Sequence, residues 1–491
     1  MPLSALASDV DPNQPPGKSL PSGQAVRLTL FIVAVLLFSM ASPAQSYRSM
    51  TKLVEENFKL ASEQYRIMMA NTPDSVMPRN FNPKENKFVT SKTSWWTSGF
   101  YPGSLFYIAQ ARQDSVLFNE GISRLKILEK EKFHSSDHDL GFMIFNSFGN
   151  AYRITRNPEY AEVVMTAAQT LTRRYRPSIN SIQSWDSNQH YRSPVIIDNM
   201  MNLEMLCWAA DEIREPKLKI IAIDHTETAI RNHYRPDFSS YHVVDYNLQT
   251  GQIVSRKSAQ GYSESSAWAR GQSWGLYGFT TMYRFTREPR YLEQAKGIAK
   301  FILNHPRLPK DKIPYWDFDA PDIPDTYRDV SAASILASGL LELSLYVDQD
   351  LRNEYVSAVA RILTNLSTDK YRSKKGENGG FILKHSVGAV PYNSEVDVSL
   401  TYADYYFLEA LSRFWKWYLT DVTNYNFPMP AGMTKEQTLQ MVSRYSGSAR
   451  ARQVRKGEWI PLDDSAWGIP LLQLAKFSDP KTMPVSFPKR Q

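Results

Sequence analysis

Two aspartates occupy places where a carboxylate is unfavourable unless it serves a proton or a ligand. Asp198 lies in S-P-V-I-I-D-N-M-M-N, residues 193–202, an otherwise apolar run. Burying it there raises a carboxyl pKa, which suits a general acid. A helix cap or a buried structural hydrogen bond would explain it equally simply. Asp139 closes the polar cluster His134, Asp137, His138, Asp139 in H-S-S-D-H-D-L-G-F-M, residues 134–143. Three readings stand there: a cap for the helix that starts near Leu140, a metal site shared with His134 and His138, or a catalytic carboxylate at a helix N-terminus.

A third polar group sits in S-S-A-W-A-R-G-Q-S-W-G-L-Y-G-F, residues 265–279. Ser265 or Ser266 is placed to cap a helix here, and apolar residues recur at helical spacing behind it. The helix would carry Arg270, Gln272, Trp268 and Trp274, thinned by three glycines that each cost about 1 kcal/mol against alanine. His242 and Gln260 precede it, with aromatics throughout. Indoles and phenols beside amides and a guanidinium are the usual walls of a sugar site, and arginine suits a carboxylate or sulfate. An aromatic-rich core helix is the plain alternative. Phosphate-cradling glycine loops, H-E-x-x-H, C-x-x-C and G-x-S-x-G are all missing from the sequence.

These groups need a frame, and it reads as helical. A-Y-R-I-T-R-N-P-E-Y (151–160), A-A-D-E-I-R-E-P-K-L (209–218) and Y-R-F-T-R-E-P-R-Y (283–291) each join two amphipathic segments. In each, proline takes an early helical position, where its missing N–H is harmless. Weaker copies lie at 110–115 and 346–355. Five or six helical hairpins with long polar loops predict a closed toroid rather than a regular solenoid. The 491 residues, 42% hydrophobic, suffice for a large core, and a charge of +7 without a dense basic block gives no reason to expect nucleic acid as a partner. The single cysteine, Cys207, reads as core filler. Arg27, an apolar run of 14 residues and S-P-A at 42–44 predict a secretory signal over residues 1–44 and export to the periplasm or beyond, without stable membrane insertion after cleavage. Composition then sets a main domain at 45–420 and an extension of unknown role at 421–491.

At this point the sequence resembles a known family. W-A-R-G-Q-S-W-G-L-Y-G, H-D-L-G-F-M, S-P-V-I-I-D-N-M-M-N and W-T-S-G-F-Y-P-G (96–103) are similar to motifs of the unsaturated glucuronyl hydrolases of glycoside hydrolase family 88. P-Y-W-D-F-D-A-P (314–321), R-D-V-S-A-A-S-I-L (328–336) and D-V-S-L-T-Y-A-D (397–404) follow in the family's order. The resemblance covers about residues 50–418 and implies an all-α (α/α)6 barrel. It implies removal of a 4,5-unsaturated uronic acid from lyase-generated oligosaccharides by hydration of an enol ether, with no cofactor or metal. It makes Asp198 the general acid/base and Asp139 the second required carboxylate. It places His242, Gln260, Arg270, Trp274, Trp185 and Tyr101 around the substrate. Glycosaminoglycan and ulvan fragments all remain open as substrates, and the loop 383–395, with Lys384, His385 and Ser386, borders the next sugar. An unsaturated rhamnogalacturonyl hydrolase shares the barrel and the chemistry, although V-I-I-D-N-M-M-N and H-D-L-G-F favour the glucuronyl type. A non-catalytic carbohydrate-binding barrel is the reading from outside the enzymes.

Overall fold

The computed structural model describes residues 43–419; the signal reading of the N-terminal residues and the extension at 421–491 fall outside the described residues. Twelve α-helices alternate along that span. We number them α1 (Pro43–Asn71), α2 (Phe100–Arg112), α3 (Ser115–Leu128), α4 (Asn150–Thr155), α5 (Pro158–Thr172), α6 (Leu203–Ile213), α7 (Pro216–His233), α8 (Ala269–Thr286), α9 (Pro289–Asn304), α10 (Val330–Leu343), α11 (Gln349–Leu366) and α12 (Thr401–Phe414). A π-type helix, Gly141–Gly149, leads directly into α4.

The sequence chemistry explains the alternation. Helices α2, α8, α10 and α12 are buried almost all round, as is the π-type segment, so they form the inner layer. Helices α5, α9 and α11 bury one stripe only and lie outside them. The inner helices pack in sequence, α8 on α10, α10 on α12 and α12 back on α2, which closes the ring. This is the expected (α/α)6 arrangement.

The predicted hinges connect inner to outer helices. Each is short: a left-handed residue, a cap, then helix. Gln113, Arg156, Arg214 and Arg287 have φ of 55°, 56°, 54° and 58°. Asp114, Asn157, Glu215 and Glu288 follow as caps whose side chains accept backbone N–H groups. Pro158, Pro216 and Pro289 stand at the first helical turn. The degenerate copy at 346–355 instead caps α11 with Asp348.

The outer-to-inner connections are long, and they hold nine short strands. A four-stranded sheet has the order β2 (Lys87–Ser91), β1 (Met77–Asn82), β9 (Ser394–Leu400), β8 (Ser386–Ala389). A three-stranded sheet joins β5 (Pro194–Ile196), β6 (Val243–Tyr246) and β7 (Ile253–Lys257), and β3 (Tyr175–Arg176) pairs with β4 (Ser181–Ile182). The all-α expectation is refined to that extent. Among the described residues no helix is long and apolar enough to cross a membrane. Cys207 is buried, its Sγ 3.7 Å from Met282 Sδ, as expected of core filler.

Candidate active site

Helices that alternate in direction put the N-termini of all inner helices at one end. The polar residues singled out in the sequence lie there. Asp139 precedes the π-type helix, Asp198 precedes α6, Arg270 opens α8 and Asp329 caps α10. Tyr402 opens α12, and Trp96 lies just before α2.

Neither aspartate is a cap. The side chain of Asp139 caps nothing, and the helix behind it starts from Leu140. Asp198 sits in a 3-10 turn, Ile197–Met201, likewise without a side-chain cap. Gly141 allows the two segments to meet. A Cβ there would lie 2.6 Å from Asn202 Oδ1 and 2.7 Å from Asn202 Cα, too close for any other residue. Asn202 Oδ1 also accepts the Phe142 N–H at 3.3 Å.

His242 is brought beside Asp198 by the sheet. Ile196 pairs with Val243, and the Ile197 N–H donates to the His242 carbonyl at 3.0 Å. The ring is then fixed from behind. Its Nδ1 accepts the N–H groups of Ala259 and Gln260, both at 3.1 Å. The ring proton therefore sits on Nε2, which points at Asp198 Oδ2 3.5 Å away. That is the long edge of a hydrogen bond, and neither atom has another partner.

Burial alone would push the Asp198 carboxyl up, as expected from sequence. The structure reverses the outcome: His242 first, then the charges of Arg270 and His138, outweigh burial and hold it below the ordinary carboxylate value. Asp139 is the raised carboxyl. Burial, then the charges of Asp137 and Asp198, push it well above the ordinary range, against an opposing pull from Arg174. His138, wedged beside Asp139 with Nε2 3.4 Å from Oδ1, is driven down to about 4 by burial. The two carboxyls are thus pushed apart in proton affinity, as acid–base sites require.

Arg270 is 2% exposed, and its terminal nitrogens are taken. They donate to the carbonyls of Val387 and Gly388 in β8, to Gln260 Oε1 at 2.6 Å and to Asp329 Oδ2 at 3.4 Å. Its guanidinium lies over Trp268, 4.4 Å from the ring centroid, and His242 packs on the same indole at 4.5 Å. In this state Arg270 ties the β8 hairpin to Gln260, and only its Nε lacks a partner. The helix begins later than expected, at Ala269, because Ser266 donates to Asp317 instead of capping it.

Trp185 is half-buried, and its backbone pairs with Asp137, which brings it beside the Asp139 loop. Trp274 is completely buried between Phe142 and Tyr406. It lies in the floor, offering no open face. Tyr101 is a correction. It stacks on Tyr65 and donates to Glu120 at 3.2 Å, on the outer side of α2. Successive helical residues point about 100° apart, so Phe100 faces inward, against Phe142 and Tyr402, and Trp96, in the turn before α2, packs on Phe100. Trp96 contacts Tyr402 at 5.0 Å between centroids. Trp96 and Tyr402 were not picked out as site residues, and Trp268 was named only among the aromatics of the candidate helix; no helical spacing marks Trp96, which lies in the turn before α2. Lys384 donates to the Asp369 carbonyl and His385 pairs with Asp397 at 2.7 Å, so neither stands free beside the next sugar. Among the described residues no cluster of three or more His, Cys, Asp or Glu is arranged to hold a metal ion.

The site therefore collects buried polar atoms with little protein bonding: Asp198 Oδ2 and His242 Nε2, which have only their 3.5 Å approach to each other, and Trp274 Nε1 and the Tyr402 hydroxyl, which have no hydrogen-bond partner. Such a concentration is what a polyhydroxylated ligand satisfies. The comparisons point the same way. The family model for Glycosyl Hydrolase Family 88 matches residues 67–410. An unsaturated glucuronyl hydrolase of Formosa agariphila is 41% identical over 71% of this chain and 86% of its own length. An unsaturated chondroitin disaccharide hydrolase of Streptococcus pyogenes is 33% identical over 68% and 84%. The crystal structure of an unsaturated glucuronyl hydrolase specific for heparin superposes with a TM-score of 0.72 at 42% identity, covering 74% of this chain and 97% of that one.

Proposed function

The chain belongs to glycosyl hydrolase family 88, and on that premise we propose that it removes a 4,5-unsaturated uronic acid from the non-reducing end of lyase-generated oligosaccharides. The observation that carries this is the pair Asp139 and Asp198, held apart in proton affinity among unpartnered donors at the inner-helix N-termini.

The chemistry follows from the substrate. Its C4–C5 double bond is an enol ether, so protonation at C4 places positive charge on C5 and the ring oxygen. Water adds at C5 and gives up a proton to the carboxylate that donated one. The hemiketal opens and the aglycone leaves from C1. We assign both proton transfers to Asp198. His242 aims it, and Asp139, the raised carboxyl, retains a proton beside it. Asp198 by itself is held ionised, so it must gain a proton before it donates one. The substrate's own carboxylate supplies the drive: a further negative charge in a buried site raises the neighbouring carboxyls. The positive ends of the inner helices favour that carboxylate's entry. Trp185 is the open aromatic surface for the sugar next in line.

Glycosaminoglycan fragments are the substrates we favour, since relatives are named for chondroitin disaccharide and heparin; ulvan fragments stand as the alternative. Export is part of the same reading, supported by the apolar run and S-P-A at the N-terminus. A panel of unsaturated disaccharides from chondroitin, hyaluronan, heparin and ulvan tests it through loss of their ultraviolet absorbance, because hydration destroys the conjugated chromophore. Decay is expected on at least one glycosaminoglycan product. No decay on this panel, with decay on unsaturated rhamnogalacturonan fragments assayed beside it, would refute the assignment.

A further inference from the structure

Asp137 and His134 stand directly behind Asp139 and have no part in the chemistry above. Asp137 Oδ2 lies 2.8 Å from His134 Nε2, and its Oδ1 accepts the backbone N–H of Asp139 at 3.0 Å. Ser136 Oγ reaches His134 Nε2 at 3.0 Å. The loop is held at both sides: Asp137 pairs with Trp185, and Arg174 donates to the Ser135 carbonyl at 2.6 Å. His134 also lines a cavity of about 480 Å³ with Lys92, Lys130 and Glu131, so water reaches its ring.

The charges around this pair are few. Facing His134 are Asp137, Glu131 (Oε2 3.7 Å from Nδ1) and Arg174, with Lys92 and Lys130 lining the same cavity. Facing Asp139 are Asp137, Asp198, Arg174 and His138. We propose that Asp137 and His134 are positioning residues for Asp139: Asp137 fixes its turn and supplies the negative charge beside it, and His134 partly neutralises that charge. The titration directions agree. The hydrogen bond to Asp137 raises His134, and His134 in turn holds Asp137 low against burial.

The proposal rests on the reading that the carboxyl pair must hold a proton for turnover. It predicts opposite effects from two neighbouring substitutions. Asp137→Asn keeps the acceptor for the Asp139 N–H but removes the charge. Asp139 then releases its proton more easily, and the alkaline limb of kcat/KM moves down by roughly half a pH unit or more. His134→Gln keeps an N–H donor toward Asp137 but removes the positive charge, and the limb moves up. The Asp139 carboxyl, followed by carbon-13 NMR in the same proteins, is expected to shift in the same two directions. Equal losses of activity with unmoved limbs and an unmoved Asp139 titration, or shifts of the same sign, would overturn the proposal. Absence of turnover in the wild type would refute the mechanism instead, and the carboxyl titration would still decide the pairing.

Discussion

At the scale of single residues, Asp198 and Asp139 are distinguished by their neighbours rather than by their burial. Asp198 faces a histidine whose tautomer two backbone N–H groups impose. Asp139 faces other carboxylates. Asp198→Asn is therefore expected to lower kcat by about 10²–10⁴-fold or more, the usual range for losing a general acid, with circular dichroism unchanged. Activity near wild type would remove Asp198 from the mechanism. Asp139 also has a consequence for stability. Its carboxyl is raised in the folded chain, so its stabilising proton is fully in place at low pH and is lost as pH rises through the folded value. Asp139→Asn does not titrate, so its Tm advantage over wild type should widen as pH rises above the ordinary carboxylate value toward the raised folded one. A constant difference would contradict the raised carboxyl. Both aspartates were legible because an acid in an apolar run is conspicuous. The depressed state of Asp198 was not, since His242 and Arg270 reach it from 44 and 72 residues away in the numbering. Tyr101 was misplaced because a motif identifies a neighbourhood and one residue's step on a helix turns the side chain away.

At the scale of elements, the connections divide the labour. Tight turns on one side carry a left-handed residue, a cap and often proline; long connections on the other carry the site. The tight turns were readable because Pro158, Pro216 and Pro289 announce a helix start. The small strands were not, since runs of two to seven residues bearing both polar and apolar side chains have too little period to register. Arg214 is exposed, with φ of 54° and, among the described residues, no side-chain hydrogen bond or ion pair. A side chain in that conformation costs about 1 kcal/mol, so Arg214→Gly should stabilise the protein by roughly 0.5–1 kcal/mol in denaturant melts. Destabilisation would mean that the arginine makes a compensating contact. The inner-helix N-termini also explain how the terminal nitrogens of Arg270 can be taken up by protein partners in an anion site: the dipoles contribute positive potential of their own.

At the scale of the whole barrel, a buried ionic network joins five inner helices below the site. Arg284 of α8 pairs with Glu204 of α6 and with Glu342 of α10 at 3.0 Å. Arg413 of α12 reaches Glu342 at 3.3 Å and Glu409 at 3.6 Å. Glu409 accepts further bonds from Tyr107 of α2 and from Ser338 at 3.0 Å and 2.6 Å. Breaking one partner strands the other charge in the core, so Glu342→Ala should cost about 3–5 kcal/mol; a loss under about 1 kcal/mol in a two-state melt would show that the network is slack. Only Glu409 and Arg413, four residues apart on α12, could be paired from sequence spacing; the links between helices carry no sequence period. The network and the packed ring hold the six N-termini in register, and the chemistry depends on that register placing a proton on one face of C4. The decisive measurement is the product formed in heavy water from an unsaturated glycosaminoglycan disaccharide, read by NMR at C4. The account predicts one deuterium on a single face of C4, with chromophore loss keeping pace with aglycone release. Deuterium spread over both faces, after release of an intact unsaturated uronate, would contradict it.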